Sequence, residues 1–296
     1  MMANVLTVDV EDWFQTNSLN LPVDTWDRYE DRIEGSMTKL LDLLDEYGAK
    51  ATIFVLGCVA AKHPALIRKM TARGHEVGSH GGWHRMVNRM SLQEFRADVR
   101  ACKQLLEDLT GNAVRCYRAP SWSISRDCYG TLPILEEEGF ICDSSLQPFR
   151  TPLSGNPDVP LHAFRPVVDG RRLGLVEVPP TVWNAGALKV PFLGGFYLRF
   201  WPSWFSTWAL KRVNRRRSGL VYVHPWEFDE AMPRLKLPPH IFMAQYYNLR
   251  TMEAKFRALL AGFAFMPLGT FVEEHSFPDH PLDSSGGKPA LWKVKT

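Results

Sequence analysis

The chain contains no apolar run approaching the roughly 20 residues that a membrane-spanning helix requires, and its opening "MMANVLTVDV" has neither a basic segment nor a long apolar one. The expectation is a soluble chain that acts in the cytoplasm, with a peripheral contact at the inner membrane face left open. CxxC pairs are also missing. The five cysteines (Cys58, Cys102, Cys116, Cys128 and Cys142) are odd in number and form no even framework of short spacings, which points to mostly buried thiols in a reducing compartment. No single sign of charge dominates: Lys and Arg total 35, Asp and Glu 32, for a net +3. That bias is too small over this length to attract nucleic acid by bulk electrostatics, so no nucleic-acid partner is expected and any basic patch must be local. What is plentiful is apolar material, 45 % of 296 residues, enough for the core of one large folded unit.

Along the chain, short apolar strands alternate with amphipathic helices. "NVLTVDV" (4–10) has the β-branched signature of a buried strand, and "GSMTKLLDLLDEYG" (35–48) reads as a helix with Ser36 as N-cap and Gly48 as stop. "ATIFVLG" (51–57), "HEVGSH" (75–80), "VRCYRAP" (114–120), "FICDSS" (140–145), "LVEVPPTVW" (175–183) and "GLVYVHPW" (219–226) continue the strands. Helices are expected at 63–74, 91–111, 129–139 and 251–262, the second opening on a capping box, Ser91 and Glu94. This repeat predicts an α/β fold with about seven parallel strands curling into a distorted barrel, and a single domain. Residues 277–296, rich in Pro, Gly and Ser, read as a loosely held tail.

The polar residues that stand out sit where strands end. "VDVEDWF" (8–14) places Asp9, Glu11 and Asp12 within four positions after the first strand. Paired acids there acquire a purpose if one binds a cation and another acts as a base, although a solvated loop or an N-cap cluster would read the same way. "SHGGWH" spaces His80 and His84 four apart, and two imidazoles with a nearby carboxylate make a usual zinc or iron set. HxxxH alone also describes two unrelated histidines. "RAPSW" offers Arg118, either a surface turn residue or a guanidinium that fixes the rotamer of a catalytic carboxylate. His224 in "VYVHPW" is either a satisfied core histidine or a general acid. In barrels of this kind the loops after the strands converge on one face, so four separated segments point at one location.

Taken together, "TVDVED", "HGGWH", "RAPSW", "EVPPTVW" and "VYVHPW" resemble, in order, the five motifs of the polysaccharide deacetylase family of metal-dependent carbohydrate esterases. The resemblance implies that family's distorted (β/α) barrel over 1–276. Residues from about 225 to 276 look like the C-terminal extension of a subgroup found with bacterial exopolysaccharide assembly. It also implies a hydrolase that removes N-acetyl groups from an amino sugar in a polysaccharide, oligosaccharide or lipid-linked glycan, using a divalent metal, zinc foremost. By position, Asp9 matches the catalytic base, His80 and His84 the metal ligands, Arg118 the residue that orients the base, and His224 the general acid. Many members have adjacent aspartates where this chain has Val10 after Asp9, so the acidic ligand is Glu11 or Asp12. Ser121 stands where many members have Tyr, its backbone N–H matching the oxyanion donor, with Trp122, Trp183, Gly194 and Gly195 expected beside the substrate. A deformylase or other amide hydrolase on this fold, and a silent carbohydrate-binding scaffold, are the rival readings.

"FLGGFYLRFWPSWFSTWALKRVNRRRSG" (192–219) packs eight aromatics ahead of a basic run. One reading is a helix whose aromatic face joins the core and whose basic end suits the helix dipole. A second makes 192–217 an interfacial segment lying on a membrane, and a third has some rings stacking on sugars.

Overall fold

The computed structural model describes residues 2–186 and 188–283. Strands β1 (Asn4–Val10), β2 (Thr52–Val55), β3 (Glu76–Ser79), β4 (Cys116–Tyr117) and β5 (Cys142–Asp143) lie side by side in chain order, each parallel to the next. Helices α1 (Ile33–Glu46), α2 (Gly57–Lys62), α3 (Pro64–Ala72), α4 (Leu92–Thr110) and α5 (Thr131–Glu137) connect them. Beyond β5 the chain forms an antiparallel pair, β6 (Arg165–Val168) with β7 (Arg171–Arg172), before β8 (Val176–Glu177) extends the main sheet next to β5. A hairpin, β9 (Val182–Ala185) with β10 (Leu188–Pro191), leads into α6 (Gly195–Phe200) and α7 (Ser203–Val213). Strand β11 (Leu220–Val223) returns beside β1, followed by α8 (Pro239–Tyr246), α9 (Met252–Gly262), β12 (Phe265–Met266, also on β1), α10 (Leu268–Glu274) and β13 (Asp279–Leu282). The order β11-β1-β2-β3-β4-β5-β8 gives seven parallel strands in a curled half-barrel, open between β8 and β11.

Strand alternation sorts β1 between two packing surfaces. Leu6, Val8 and Val10 join Ile53, Val55 and the inner faces of α1 and α4 in the large outer core, with Met37, Leu40, Phe95 and Val99. Val5 packs inside the curl with Phe54, Cys116, Val176 and Tyr222. Thr7 and Asp9 have the same parity as Val5, so the inside of the curl is apolar at one end of the strands and polar at the other. That polarity makes the carboxyl ends of the strands the place for chemistry.

Several expectations are corrected by local chemistry. Helix α1 starts at Ile33, and Ser36 lies inside it, donating from Oγ to the Arg32 and Ile33 carbonyls at 3.0 and 3.2 Å. The first amides are held instead by carboxylates: Arg32 N–H donates to Asp12 Oδ2 at 2.7 Å and Ile33 N–H to Asp31 Oδ1 at 3.2 Å. The expected strand 175–183 breaks at Pro179 and Pro180, which cannot donate to a ladder, into β8 and β9. Cys116 and Cys142 are partners in register on β4 and β5 and are disulfide-bonded, so three of the five cysteines (Cys58, Cys102 and Cys128) are free. Within the expected tail, β13 pairs in parallel with β6, while 284–296 lies outside the described residues. The α4 capping box forms as expected, with Glu94 N–H donating to Ser91 Oγ at 3.2 Å and Ser91 N–H to Glu94 Oε2 at 2.8 Å.

His75, just before β3, is buried with Nδ1 accepting from Ala51 N–H at 3.3 Å. Burial, reinforced by Lys50, lowers its imidazole to about 4. The folded chain therefore refuses a proton that the unfolded chain takes near pH 6.5. Its contribution to stability is whole above about pH 6.5 and drains as pH falls toward 4. His75→Gln is expected to narrow the difference in Tm between pH 7 and pH 5, read by circular dichroism melts; an unchanged difference would contradict this account.

Candidate active site

Strand β1 ends at Val10, and the chain turns at once, with Glu11 N–H donating to the Asp9 carbonyl at 3.1 Å. This i to i+2 closure fixes where three successive carboxylates go. Asp9, inside the curl, accepts from Arg118 Nη1 at 2.6 Å. Arg118 is fully buried at the end of β4, and the same nitrogen donates to Thr7 Oγ1 at 2.8 Å. Its Nη2 and Nε donate to the Ser144 hydroxyl and carbonyl at 2.9 and 3.2 Å. The rings of Phe54 and Trp122 lie 4.4 and 5.0 Å from the guanidinium carbon. The guanidinium thus has hydrogen bonds in place of water, and Asp9 has one fixed rotamer.

Glu11, His80 and His84 converge: one ligand atom from each lies within 4.8 Å of the others, and all three side chains are buried. His80 Nδ1 donates to the Arg118 carbonyl at 2.8 Å, which leaves Nε2 with an open lone pair, the usual outer contact of a metal-binding histidine. His84 has left-handed backbone, φ 52°, at the end of the Gly81-Gly82 turn. Glu11 Oε2 stands 3.1 Å from His84 Nε2, yet both atoms are buried without a hydrogen bond. Burial lowers the His80 imidazole to about 4, holds His84 well below its ordinary value, and pushes the Glu11 carboxyl up to about 8. A buried carboxyl and two buried imidazoles that face one another, with Glu11 Oε2 and His84 Nε2 lacking hydrogen bonds, are what a divalent cation would satisfy, so the residues present fit a metal. Asp12 is not part of this group. Its Oδ1 accepts from Trp13 N–H at 2.8 Å and its Oδ2 from Arg32 N–H, so it serves the start of α1.

His224, at the end of β11, projects Nε2 toward Glu11 Oε1 at 3.2 Å and Asp9 Oδ2 at 4.0 Å. Its Nδ1 donates to Glu227 Oε2 at 3.0 Å, and its ring stacks on Trp226 with centroids 5.3 Å apart. Burial alone would depress this imidazole, but the Glu227 hydrogen bond and the charges of Glu11, Glu227 and Asp9 outweigh it and hold it at about 9. Glu227 is itself fixed by fully buried Arg199, whose Nε donates to Oε1 at 2.8 Å. His224 Nε2 is therefore aimed into the site from a rigid support.

Asp9, Glu11, His80, His84 and His224 line one end of a cavity of about 520 Å³. Ser121 and Trp122 line it too, both with left-handed backbone (φ 55° and 49°) just after Arg118. Gly195 is on the wall, whereas Gly194 lies under the Tyr222 ring, where a Cβ would overlap it. Trp183 is elsewhere, packed on Phe205 and Trp208. Sequence reasoning missed Glu227, three residues after His224, and Arg199. A lone arginine inside "FYLRF" is itself a signal, because a charge in an apolar run needs a buried partner. Tyr197 and Gln245, also on the wall, carried no such signal.

Residues 23–134 match the family model described as polysaccharide deacetylase, and residues 144–273 match one described as a domain of unknown function, DUF3473. The expected tie between the C-terminal part and exopolysaccharide assembly finds no support in the second match. The chain is 30 % identical over 99 residues to a peptidoglycan-N-acetylglucosamine deacetylase of Listeria monocytogenes, covering 33 % of this chain and 21 % of that protein. It is 39 % identical over 90 residues to a chitooligosaccharide deacetylase of Sinorhizobium fredii, covering 28 % and 39 %. The matches thus span about a fifth to two fifths of these relatives. A solved Mycobacterium smegmatis structure classed with the polysaccharide deacetylases shares the fold, with TM-score 0.58, 18 % identity, and 92 % and 90 % of the two chains covered.

Glu11→Gln is expected to weaken zinc binding by more than the roughly 100-fold that outer-shell changes reach. Asp12→Ala is expected to keep zinc affinity within about tenfold while losing about 1 kcal/mol of stability, as a lost helix cap does. Titration calorimetry and urea melts on both variants check the division, and loss of zinc in Asp12→Ala would reverse it.

Proposed function

We propose that this chain, whose residues 23–134 match the polysaccharide deacetylase family model, is a metal-dependent hydrolase that removes N-acetyl groups from an amino sugar within a glycan. The observation that carries this reading is the meeting, at one end of the cavity, of three open metal ligands, an arginine-held carboxylate and a doubly anchored imidazole. Glu11, His80 and His84 would hold the ion. The two nitrogens and one oxygen suit zinc, which when bound supplies Lewis acidity toward the acetyl carbonyl and makes water easier to deprotonate.

Asp9 has the geometry of the base. Arg118 occupies Oδ1 and leaves Oδ2 facing the site, where it accepts the proton of the attacking water. The oxygen of that water bonds to the acetyl carbon, and the carbon–nitrogen bond breaks. His224 delivers the Nε2 proton to the departing amine, so that acetate and a free amino sugar leave. Glu227 keeps the imidazole ring oriented as that proton moves. The Ser121 N–H is assigned to the oxyanion, a role whose loss commonly costs about 3 kcal/mol.

Metal-stripped protein is expected to release acetate from N-acetylglucosamine oligomers only after zinc is restored. Asp9→Asn and His224→Gln are each expected to lower turnover by about 10²–10⁴-fold, with zinc affinity retained in Asp9→Asn. Near-normal turnover in Asp9→Asn would remove the base assignment. Zinc-dependent release of formate from N-formylated sugars, with no acetate from any N-acetylated glycan, would overturn the assigned acyl group.

A further inference from the structure

We propose that α6, α7 and α8 form a docking surface for an anionic lipid bilayer at the rim of the active-site cavity. Two unrelated properties coincide there. The first is charge: from residue 178 to residue 226 the chain contains no Asp or Glu, but seven Lys and Arg residues. Arg199 is spent on Glu227, Lys189 donates to the Pro157 carbonyl, and Arg217 donates to the Val182 carbonyl. Lys211, Arg212, Arg215 and Arg216 remain exposed, and none forms an ion pair among the described residues. Several surface arginines elsewhere are matched, as Arg96 and Arg100 are by Glu138 and Arg257 is by Glu46 and Glu253, and exposed arginines without an ion pair, such as Arg28, Arg68 and Arg89, are scattered along the chain rather than gathered in one run free of acids. A cluster of unmatched cations on an otherwise balanced protein calls for an external anion.

The second property is apolar exposure beside those cations. Trp204 is 71 % exposed, Phe200 46 % and Trp208 37 %, while Phe242, Met243 and Tyr247 stand out around α8. The rings are continuous: Trp208 touches Phe205, Phe205 touches Trp201, Trp201 touches Phe200, and Phe200 reaches Tyr247 across to α8. Tryptophan and phenylalanine flanked by arginine and lysine are the composition of an interfacial surface, where rings enter the headgroup boundary and cations meet lipid phosphates. A nucleic-acid groove would use the cations but has no need of solvent-facing Trp204 next to Phe200 and Met243. Among the described residues no helix is long and apolar enough to cross a membrane, so the contact is with the surface.

The location favours this occupant. Phe196 and Tyr197 of α6 and Ile241 and Ala244 of α8 line the cavity, while Phe200, Phe242 and Met243 of the same helices face outward. A bilayer against this surface would present a headgroup-borne sugar at the cavity mouth. That last step, a lipid-carried glycan as substrate, rests on the hydrolase reading above; the docking itself does not.

The test is co-sedimentation of the full chain with phosphatidylcholine vesicles, with and without phosphatidylglycerol, at low and high salt. The expected result is sedimentation with the anionic vesicles that weakens as salt screens the charges. Arg215→Glu with Arg216→Glu should lower partitioning by about tenfold or more, and Trp204→Ala with Trp208→Ala should lower it independently of salt. Acetate release from a soluble oligosaccharide, measured on the same preparations, should stay unchanged in both variants. Failure of that release in every preparation counts against the hydrolase reading and leaves docking to be judged by sedimentation. No sedimentation with anionic vesicles at low salt would overturn the proposal, as would sedimentation indifferent to both variants. A single-stranded oligonucleotide that binds the same arginines while vesicles do not would also overturn it.

Discussion

Arg118 carries a full charge at a point with no access to water, and the architecture of the site follows from the need to satisfy it. A buried guanidinium is tolerated only where fixed acceptors and a counter-charge replace its hydration. Thr7 and Asp9 come from β1 and Ser144 from the residue after β5, while Arg118 itself follows β4. Strands β1 and β4 are separated in the sheet by β2 and β3, so the contact crosses the interior of the curl and ties its walls together. The same constraint aims Asp9, and through the Arg118 carbonyl it also sets the tautomer of His80. One arginine thereby orients both the proposed base and a proposed metal ligand.

A second buried arginine serves the opposite half of the chemistry. Arg199 bonds Glu227, Glu227 bonds His224, and the imidazole faces the carboxylates of Asp9 and Glu11. Each end of the proposed proton path therefore begins at a carboxylate neutralised by a guanidinium out of contact with water. The proposed metal ligands lie between the two ends. Glu11 Oε2 and both ring nitrogens of His84 are buried there without a hydrogen bond.

Much of this was legible in the sequence, for identifiable reasons. Parallel strands buried on both faces are largely apolar, so the abrupt polar residues after "NVLTVDV", "EVGS" and "LVYV" marked strand ends, and strand ends marked the site. What escaped depends on contacts between distant segments or on a single turn. Strand alternation extended past Val10 would send Glu11 to the same side as Asp9, but the closure after β1 sets its direction, and only the α1 amide at Arg32 shows that Asp12 is committed elsewhere. Cys116 and Cys142 are 26 residues apart and meet because two strands share a register. In the aromatic run, a single helix with its aromatic face in the core is one of the patterns that the spacing allows; Pro202 divides it, leaving Trp201 and Phe205 packed inward and Trp204 turned to solvent.

Arg199 also donates to the carbonyls of Ala244, Gln245 and Tyr247 at the end of α8, while Lys255 grips the carbonyls of Leu198, Arg199 and Trp201 at the end of α6. The guanidinium is a stiff planar fork with one tine on the outer rim and another on the carboxylate behind His224. One guanidinium is thus hydrogen-bonded both to the end of α8 at the cavity rim and to the carboxylate that holds the His224 ring, so the position of the rim and the orientation of that imidazole share a single support.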